Sequence, residues 1–327
     1  MALTVLQHIE KSKGTLFSFE LLPPLKGHDF ESTEQSIEPL LEFNPSFINI
    51  TYHQQEVVYE NAGKGLMRKH TIRKRPGTVG IAAAIKYRYG INVVPHIICG
   101  GFTKEDTENA LIDLQFLGIN NLLVVRGDPQ PGAKVFVPEP NGNEHSSDLI
   151  EQIVNLNNGI YIDDKLENTR SMNFCIGVAG YPEKHPESTD RKQDLMHLKE
   201  KIRAGASFII TQLFFENKFY FDFVDDLRSI GINVPVIPGI MPILNLKQTK
   251  RFTKMCGATI PVDLMTRLES FQSDPEAINK IGIDHATKQC GDLLKNGAPG
   301  IHFYTLNQSR ATLSVLECLK SDSSIIK

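Results

Sequence analysis

The chain has 327 residues, 41% hydrophobic and 22% charged, with a net charge of −3. That balance belongs to a globular protein able to bury a core, and it excludes the basic footprint of a nucleic-acid binder or a polybasic membrane-surface protein. Five cysteines, odd in number and never spaced C-x-x-C, argue against a disulfide framework or a zinc site and fit a reducing compartment.

The opening stretch MALTVLQHIEKSKG lacks the apolar core of a signal peptide, and no apolar run reaches the length of a membrane span, so a cytoplasmic protein is expected. Short runs rich in β-branched and aromatic residues then follow in order. They are TLFSFEL (15–21), SFINITY (46–52), NVVPHII (92–98), NLLVVRG (121–127), NFCIGVA (173–179), FIITQLF (208–214), VPVIPGI (234–240) and IHFYTLN (301–307). Each is short, apolar and bounded by turn residues, as a buried strand should be. Between them lie helical spacings: 104–118, opened by Thr103 and closed by Gly118; 146–157; and 190–206, with Leu195, Leu198 and Ile202 on one face.

Eight strands alternating with helices predict a parallel sheet, and eight such units fit a single-domain (β/α)8 barrel spanning 1–327. A doubly wound open sheet is the alternative, but no G-x-G-x-x-G follows a strand and no G-x-x-x-x-G-K-[ST] occurs. Residues 129–145, rich in Pro and Gly, read as a long loop on the active face. Residues 158–172 read as an exposed connection on the opposite side.

In such a barrel the chemistry sits at the carboxyl ends of the strands. Those ends carry Glu20, Thr51-Tyr52-His53, His96, Arg126-Gly127-Asp128, Tyr181, Gln212, Met241, and Tyr304 with Asn307. Glu20 stands among Phe17, Phe19, Leu21 and Leu22, an apolar surround expected to raise its pKa as a general acid requires; the bland alternative is a buried ion pair with an Arg or Lys. In Arg126-Gly127-Asp128 the cation suits a phosphate or carbonyl-rich ring, the glycine allows close approach, and the carboxylate accepts from heterocyclic N–H groups. Alternatively Arg126 and Asp128 pair with each other or with neighbours. Asp194, His197 and Lys201 share one helix face, which serves either a phosphate and ribose or a solvated stripe. No cluster shows metal-ligand spacing.

Several segments together resemble the bacterial methylenetetrahydrofolate reductase catalytic domain, in that family's order: FSFELLPP, NITYH, PHIICGG, LLVVRGDP, AGYPEKHPES, DLMHLKEKI, ITQLFF, IPGIMPI and HFYTLN. The resemblance implies a (β/α)8 barrel that binds FAD and reduces methylenetetrahydrofolate with NADH or NADPH, in two half-reactions at one site. It implies that Glu20 is the acid that helps open the folate ring, and that Asp128 lies between flavin and folate. It places Gln212 and Tyr304 on the substrate. It assigns FAD contacts to Thr51, Tyr52, His96, Arg126, Gly127, Asp128, Ala179, Tyr181, His185, Asp194, His197 and Lys201. It further implies a homo-oligomer without the regulatory domain appended to the eukaryotic enzymes.

Two positions depart from the pattern: Leu246, where the family often has an aromatic residue, and Gln308, where it often has arginine. Two rival functions use the same residues. A pterin-dependent transferase without flavin would be colourless, and a non-enzymatic flavin or folate binder would tolerate loss of Glu20.

Overall fold

The computed structural model describes residues 3–11, 15–63, 65–133 and 135–321. Lys64 of the NAGKG segment and Lys134 of the expected active-face loop therefore lie outside the described residues, as do positions at either end of the opening MALTVLQHIEKSKG stretch.

Helix α1 (Val5–Lys11) precedes β1 (Leu16–Leu21), α2 (Glu31–Ile37), a 3-10 turn (Glu38–Phe43) and β2 (Phe47–Ile50). An antiparallel hairpin, β3 (Glu56–Gly63) and β4 (Leu66–Ile72), then leads to α3 (Thr78–Tyr89), β5 (Val93–Ile98), α4 (Lys104–Phe116), β6 (Asn121–Val125) and α5 (Ser146–Asn157). Next come β7 (Cys175–Gly180), α6 (Arg191–Ala204), β8 (Phe208–Thr211), α7 (Asn217–Ser229), β9 (Val236–Ile237) and β10 (Gly239–Ile240). The chain continues through α8 (Leu246–Cys256), α9 (Val262–Ser270), α10 (Pro275–Lys295), β11 (Gly300–Tyr304) and α11 (Ser309–Ser321).

The parallel strands run in the order β10-β11-β1-β2-β5-β6-β7-β8-β9, and the ring closes because β9 and β10 are two halves of one strand. The expected single strand over 234–240 is broken at Pro238, which has no N–H to give a ladder. Its carbonyl still accepts from His302 N at 2.9 Å, and Gly239 N turns to Thr211 Oγ1 at 2.9 Å. The fold is thus the expected (β/α)8 barrel, with one wall divided. The exposed hairpin β3–β4 is an addition that the sequence reading did not anticipate. Its strands carry Glu56, Tyr59, Glu60, Arg68 and His70, and its register puts no continuous apolar face against the barrel.

Period-two alternation divides the barrel wall. Phe17, Phe19 and Leu21 point outward into the layer shared with the helices. Leu16, Phe47, Val94, Leu123, Cys175, Phe208, Ile210 and Ile237 point inward and fill the lower lumen. Val5 of α1 joins that cluster from below, and Asn121 pins α1 by accepting from Val5 N (2.8 Å) and donating to Leu3 O (3.1 Å). Above the apolar layer the inward positions become polar: Ser18, Asn49, His96 and His302 are all buried.

Helix α4 begins at Thr103 with a reciprocal capping box to Asp106, and α6 begins at Asp190, whose carboxylate accepts from Gln193 N. Gly118, at φ +63, turns the chain out of α4. Among the described residues no helix is long and apolar enough to cross a membrane.

Candidate functional site

Glu20 is the last inward side chain of β1, paired in register with Asn49 on one side and Tyr304 on the other. Its Oε2 lies 3.5 Å from His96 Nε2 and 3.9 Å from His302 Nε2. The second distance makes the His302 contact one of charge rather than a hydrogen bond. The expectation of a raised pKa is overturned. Burial does push the carboxyl up and is the largest single influence, but His302, His96 and Thr51 together hold it below the usual glutamate value. The reason is alternation: the apolar sequence neighbours Phe17, Phe19 and Leu21 face the other side of the sheet, so Glu20 meets imidazoles instead. Its partners are also not the Arg or Lys of the bland alternative.

Below Glu20 the polar layer is continuous. His302 Nδ1 is 2.9 Å from Ser18 Oγ, and Asn49 Nδ2 is 3.3 Å from His96 Nε2. His302 Nε2 makes no hydrogen bond within the described residues, which leaves it facing Glu20. Burial lowers the His96 pKa, partly offset by Glu20, so His96 is held neutral near pH 7. Sequence reasoning passed over Ser18, Asn49 and His302. The legible signal was a polar residue at each inward position of an otherwise apolar strand.

Around this centre the strand-end residues divide into groups. At β2, Thr51 Oγ1 donates to Leu21 O (3.1 Å), while Tyr52 packs edge-on against Phe102 with ring centroids 5.2 Å apart. After β6, Arg126 does not pair with Asp128: its two Nη atoms bind both carboxylate oxygens of Glu187 at 2.7 Å, and its guanidinium lies 5.0 Å from the Phe136 ring centre. Gly127 sits at φ +90, a conformation that only glycine adopts without strain.

Beyond β7 the loop 181–190 folds back on α6. Asp194 accepts from His185 N (3.1 Å) and Ser188 Oγ (3.3 Å), and Tyr181 meets His185 edge-on at 4.6 Å. Burial pushes the Tyr181 hydroxyl up and the His185 imidazole down. Lys201, two turns beyond Asp194 on that face, is partly buried. Burial lowers its ammonium pKa against the pull of Asp194. His197 is exposed, and Ala179 is partly buried near the end of β7.

Gln212 continues the β8 ladder by donating its N–H to Gly180 O (2.7 Å). Tyr304 is engaged in closing the barrel: its hydroxyl donates to Thr211 O (2.7 Å), and its ring lies where a Cβ on Gly239 would stand. Asn307, in the left-handed region, clasps Leu22 with both amide atoms (2.8 and 2.9 Å) and so fixes the chain just past Glu20. Leu246 packs on the apolar cluster around Met241 and Ile243, and Gln308 is exposed. Among the described residues no three His, Cys, Asp or Glu side chains are placed to hold a metal ion.

The arrangement brings a carboxylate with two imidazoles to the barrel centre, and Arg126 and Lys201 together with His185 to a second place beside it. It can hold a proton at one place and an anion at the other.

Comparison with known proteins gives a consistent picture. The family model described as methylenetetrahydrofolate reductase matches residues 4–320. Methylenetetrahydrofolate reductase (NADH) 1 of Arabidopsis thaliana is 32% identical over 95% of this chain, which spans about half (49%) of that protein's length. The 5,10-methylenetetrahydrofolate reductase of Pectobacterium carotovorum subsp. carotovorum is 32% identical over 92% of this chain and 88% of its own. The Escherichia coli (strain K12) enzyme of that name is 31% identical, with 92% and 90% covered. Among solved structures, a Clostridium thermocellum protein described as binding two copies of 5-methyl-5,6,7,8-tetrahydrofolic acid has a TM-score of 0.57 at 16% identity, covering 96% of this chain and 97% of its own. At that identity the likeness shows the fold alone.

Proposed function

Because this chain belongs to the methylenetetrahydrofolate reductase family, we propose that it reduces 5,10-methylenetetrahydrofolate to 5-methyltetrahydrofolate with NADH or NADPH, using bound FAD. The observation that carries this reading is Glu20 seated among His96, His302 and Ser18 at the barrel's carboxyl end. Opening the folate's five-membered ring needs a proton delivered to nitrogen in a site from which water is excluded.

The residues present fit FAD. Arg126, His185 and Lys201 converge where the β6 and β7 loops meet α6, and among the described residues no ion pair neutralises Lys201. Those three would hold the pyrophosphate, Arg126 exchanging Glu187 for it, and Thr51, Tyr52, His96, Gly127, Ala179, Tyr181, Asp194 and His197 would complete the set. Bound there, FAD supplies hydride transfer from nicotinamide to the one-carbon unit.

The protein's own part is protonic and geometric. Glu20 is held below the usual glutamate value, so it must take up a proton before it can act as an acid. His302 is placed to pass that proton on, since Ser18 fixes its Nδ1 and leaves Nε2 directed at the carboxylate. Asp128 and Gln212 would hold the pterin, with Tyr304 beneath it.

The test is a visible absorption spectrum of the purified protein, before and after NADH and then methylenetetrahydrofolate. A flavin spectrum that bleaches with the nicotinamide and returns with the folate supports both half-reactions. A colourless protein that takes up no FAD defeats the proposal.

A further inference from the structure

Gln54 stands between β2 and the hairpin and was not singled out by its sequence. In the amide orientation that satisfies its surroundings, its oxygen accepts from Gly101 N (3.2 Å) and Gln130 Nε2 (2.7 Å), and its nitrogen donates to the Asp128 carbonyl (3.1 Å). The side chain lies flat on two consecutive glycines. A Cβ on Gly100 would stand 3.0 Å from the Gln54 carboxamide carbon, and one on Gly101 would stand 3.3 Å from Gln54 Cγ. One residue therefore ties the loops leaving β2, β5 and β6.

The loop carrying Asp128 needs such a tie. Arg126 O is held by Cys99 N (3.1 Å) and Gly100 N (3.2 Å), but the left-handed Gly127 that follows gives the backbone freedom to rotate. Past that glycine, the bond from Gln54 is the one hydrogen bond Asp128 makes among the described residues. An amide is suited to the task because it donates and accepts at once; a carboxylate of the same shape cannot donate.

We propose that Gln54 is a positioning residue that fixes the backbone of Asp128, and through it the aim of the Asp128 carboxylate into the flavin and folate site. The inference rests on the function proposed above for what that carboxylate meets, but the tie itself does not.

Two measurements test it. In the flavin-free protein, amide hydrogen exchange is compared for wild type, Gln54→Glu and Gln54→Ala. The Gly101 amide should exchange at least about tenfold faster in Gln54→Ala, which removes its acceptor, but not in Gln54→Glu, which keeps one, while the β6 amides stay protected in both. Unchanged exchange at Gly101 in Gln54→Ala overturns the proposal.

In the FAD-loaded protein, the midpoint potential is compared for Gln54→Ala, Asp128→Asn and the double variant. A carboxylate aimed at the flavin opposes the gain of negative charge, so Asp128→Asn raises the potential. Gln54→Ala should raise it too, and the double variant should go no further than Asp128→Asn alone. Additive shifts overturn the proposal. Should the protein take up no FAD, the flavin reading fails while the exchange result still judges the tie.

Discussion

His302 Nε2 lies 3.9 Å from Glu20 Oε2, while the opposite nitrogen of the same ring is 2.9 Å from Ser18 Oγ. Ser18 and Glu20 share the inner face of β1, and His302 reaches both from the neighbouring strand β11. One imidazole thus faces two side chains of a single strand, with Ser18 and His302 fully buried and Glu20 partly so. A ring so held has a fixed orientation, with Nε2 turned to the carboxylate.

That arrangement makes Glu20 the residue to change first. Glu20→Gln keeps the shape and removes the titrating group. Folate reduction should fall by about 10²- to 10⁴-fold, the range that general acid catalysis contributes. FAD content and reduction by NADH should persist, read from the visible spectrum and stopped-flow bleaching. Undiminished turnover would remove Glu20 from the mechanism.

The same cluster predicts how stability responds to acid. Glu20 is held below its ordinary value of 4.5, so its contribution is complete above that pH and is lost as pH falls through the lower native value. His96, held below 6.5, acts in the same direction, because the native state keeps neutral a ring that the unfolded chain would charge. Urea midpoints should therefore fall as pH drops from 6.5 through 4.5 and beyond. Glu20→Gln should flatten the lower part of that decline, and equal slopes in the two proteins would contradict it.

Lys201 gives a prediction about cofactor retention. Replacing it with methionine preserves length and apolar stem but removes the charge. A hydrogen bond to a charged group contributes about 1.5–3 kcal/mol. The FAD dissociation constant should accordingly rise roughly 10- to 100-fold, measured by quenching of flavin fluorescence. A tighter complex would mean that Lys201 does not face the pyrophosphate.

Gly177 tests the packing of the lumen. A Cβ there would stand 2.2 Å from the Phe208 ring, which is fully buried and has no vacant direction. Gly177→Ala should cost about 1–3 kcal/mol by overpacking, seen as a lower urea midpoint with unchanged slope. An unaltered midpoint would mean that the barrel floor is softer than its packing implies.

The barrel was legible because buried strands and capped helices follow local rules. Thr103 and Asp190 stand where caps belong, and the apolar runs locate every strand of the ring. Pro238 was legible in principle, since a residue without N–H interrupts a ladder, but the run VPVIPGI masks it with strong β-formers on both sides. The hairpin was hidden for the opposite reason: its strands have no buried face to impose periodicity.

The site was legible only as a set of strand ends. Glu20's electrostatics were misjudged because neighbours in sequence are not neighbours across a sheet. Its true surroundings, His96 and His302, are 76 and 282 residues away by their numbers. Glu187 and Gln54 escaped because a loop residue acquires meaning only from what folds beneath it.

The pairing of β1 with β11 joins residues 16–20 to residues 300–304. A ribosome delivers those partners at opposite ends of synthesis, so the first strand made must wait for the last before its edge is covered. His302, the imidazole that faces both Ser18 and Glu20, arrives on that strand. A chain released before residue 300 therefore lacks both that wall of the barrel and the imidazole that faces Glu20.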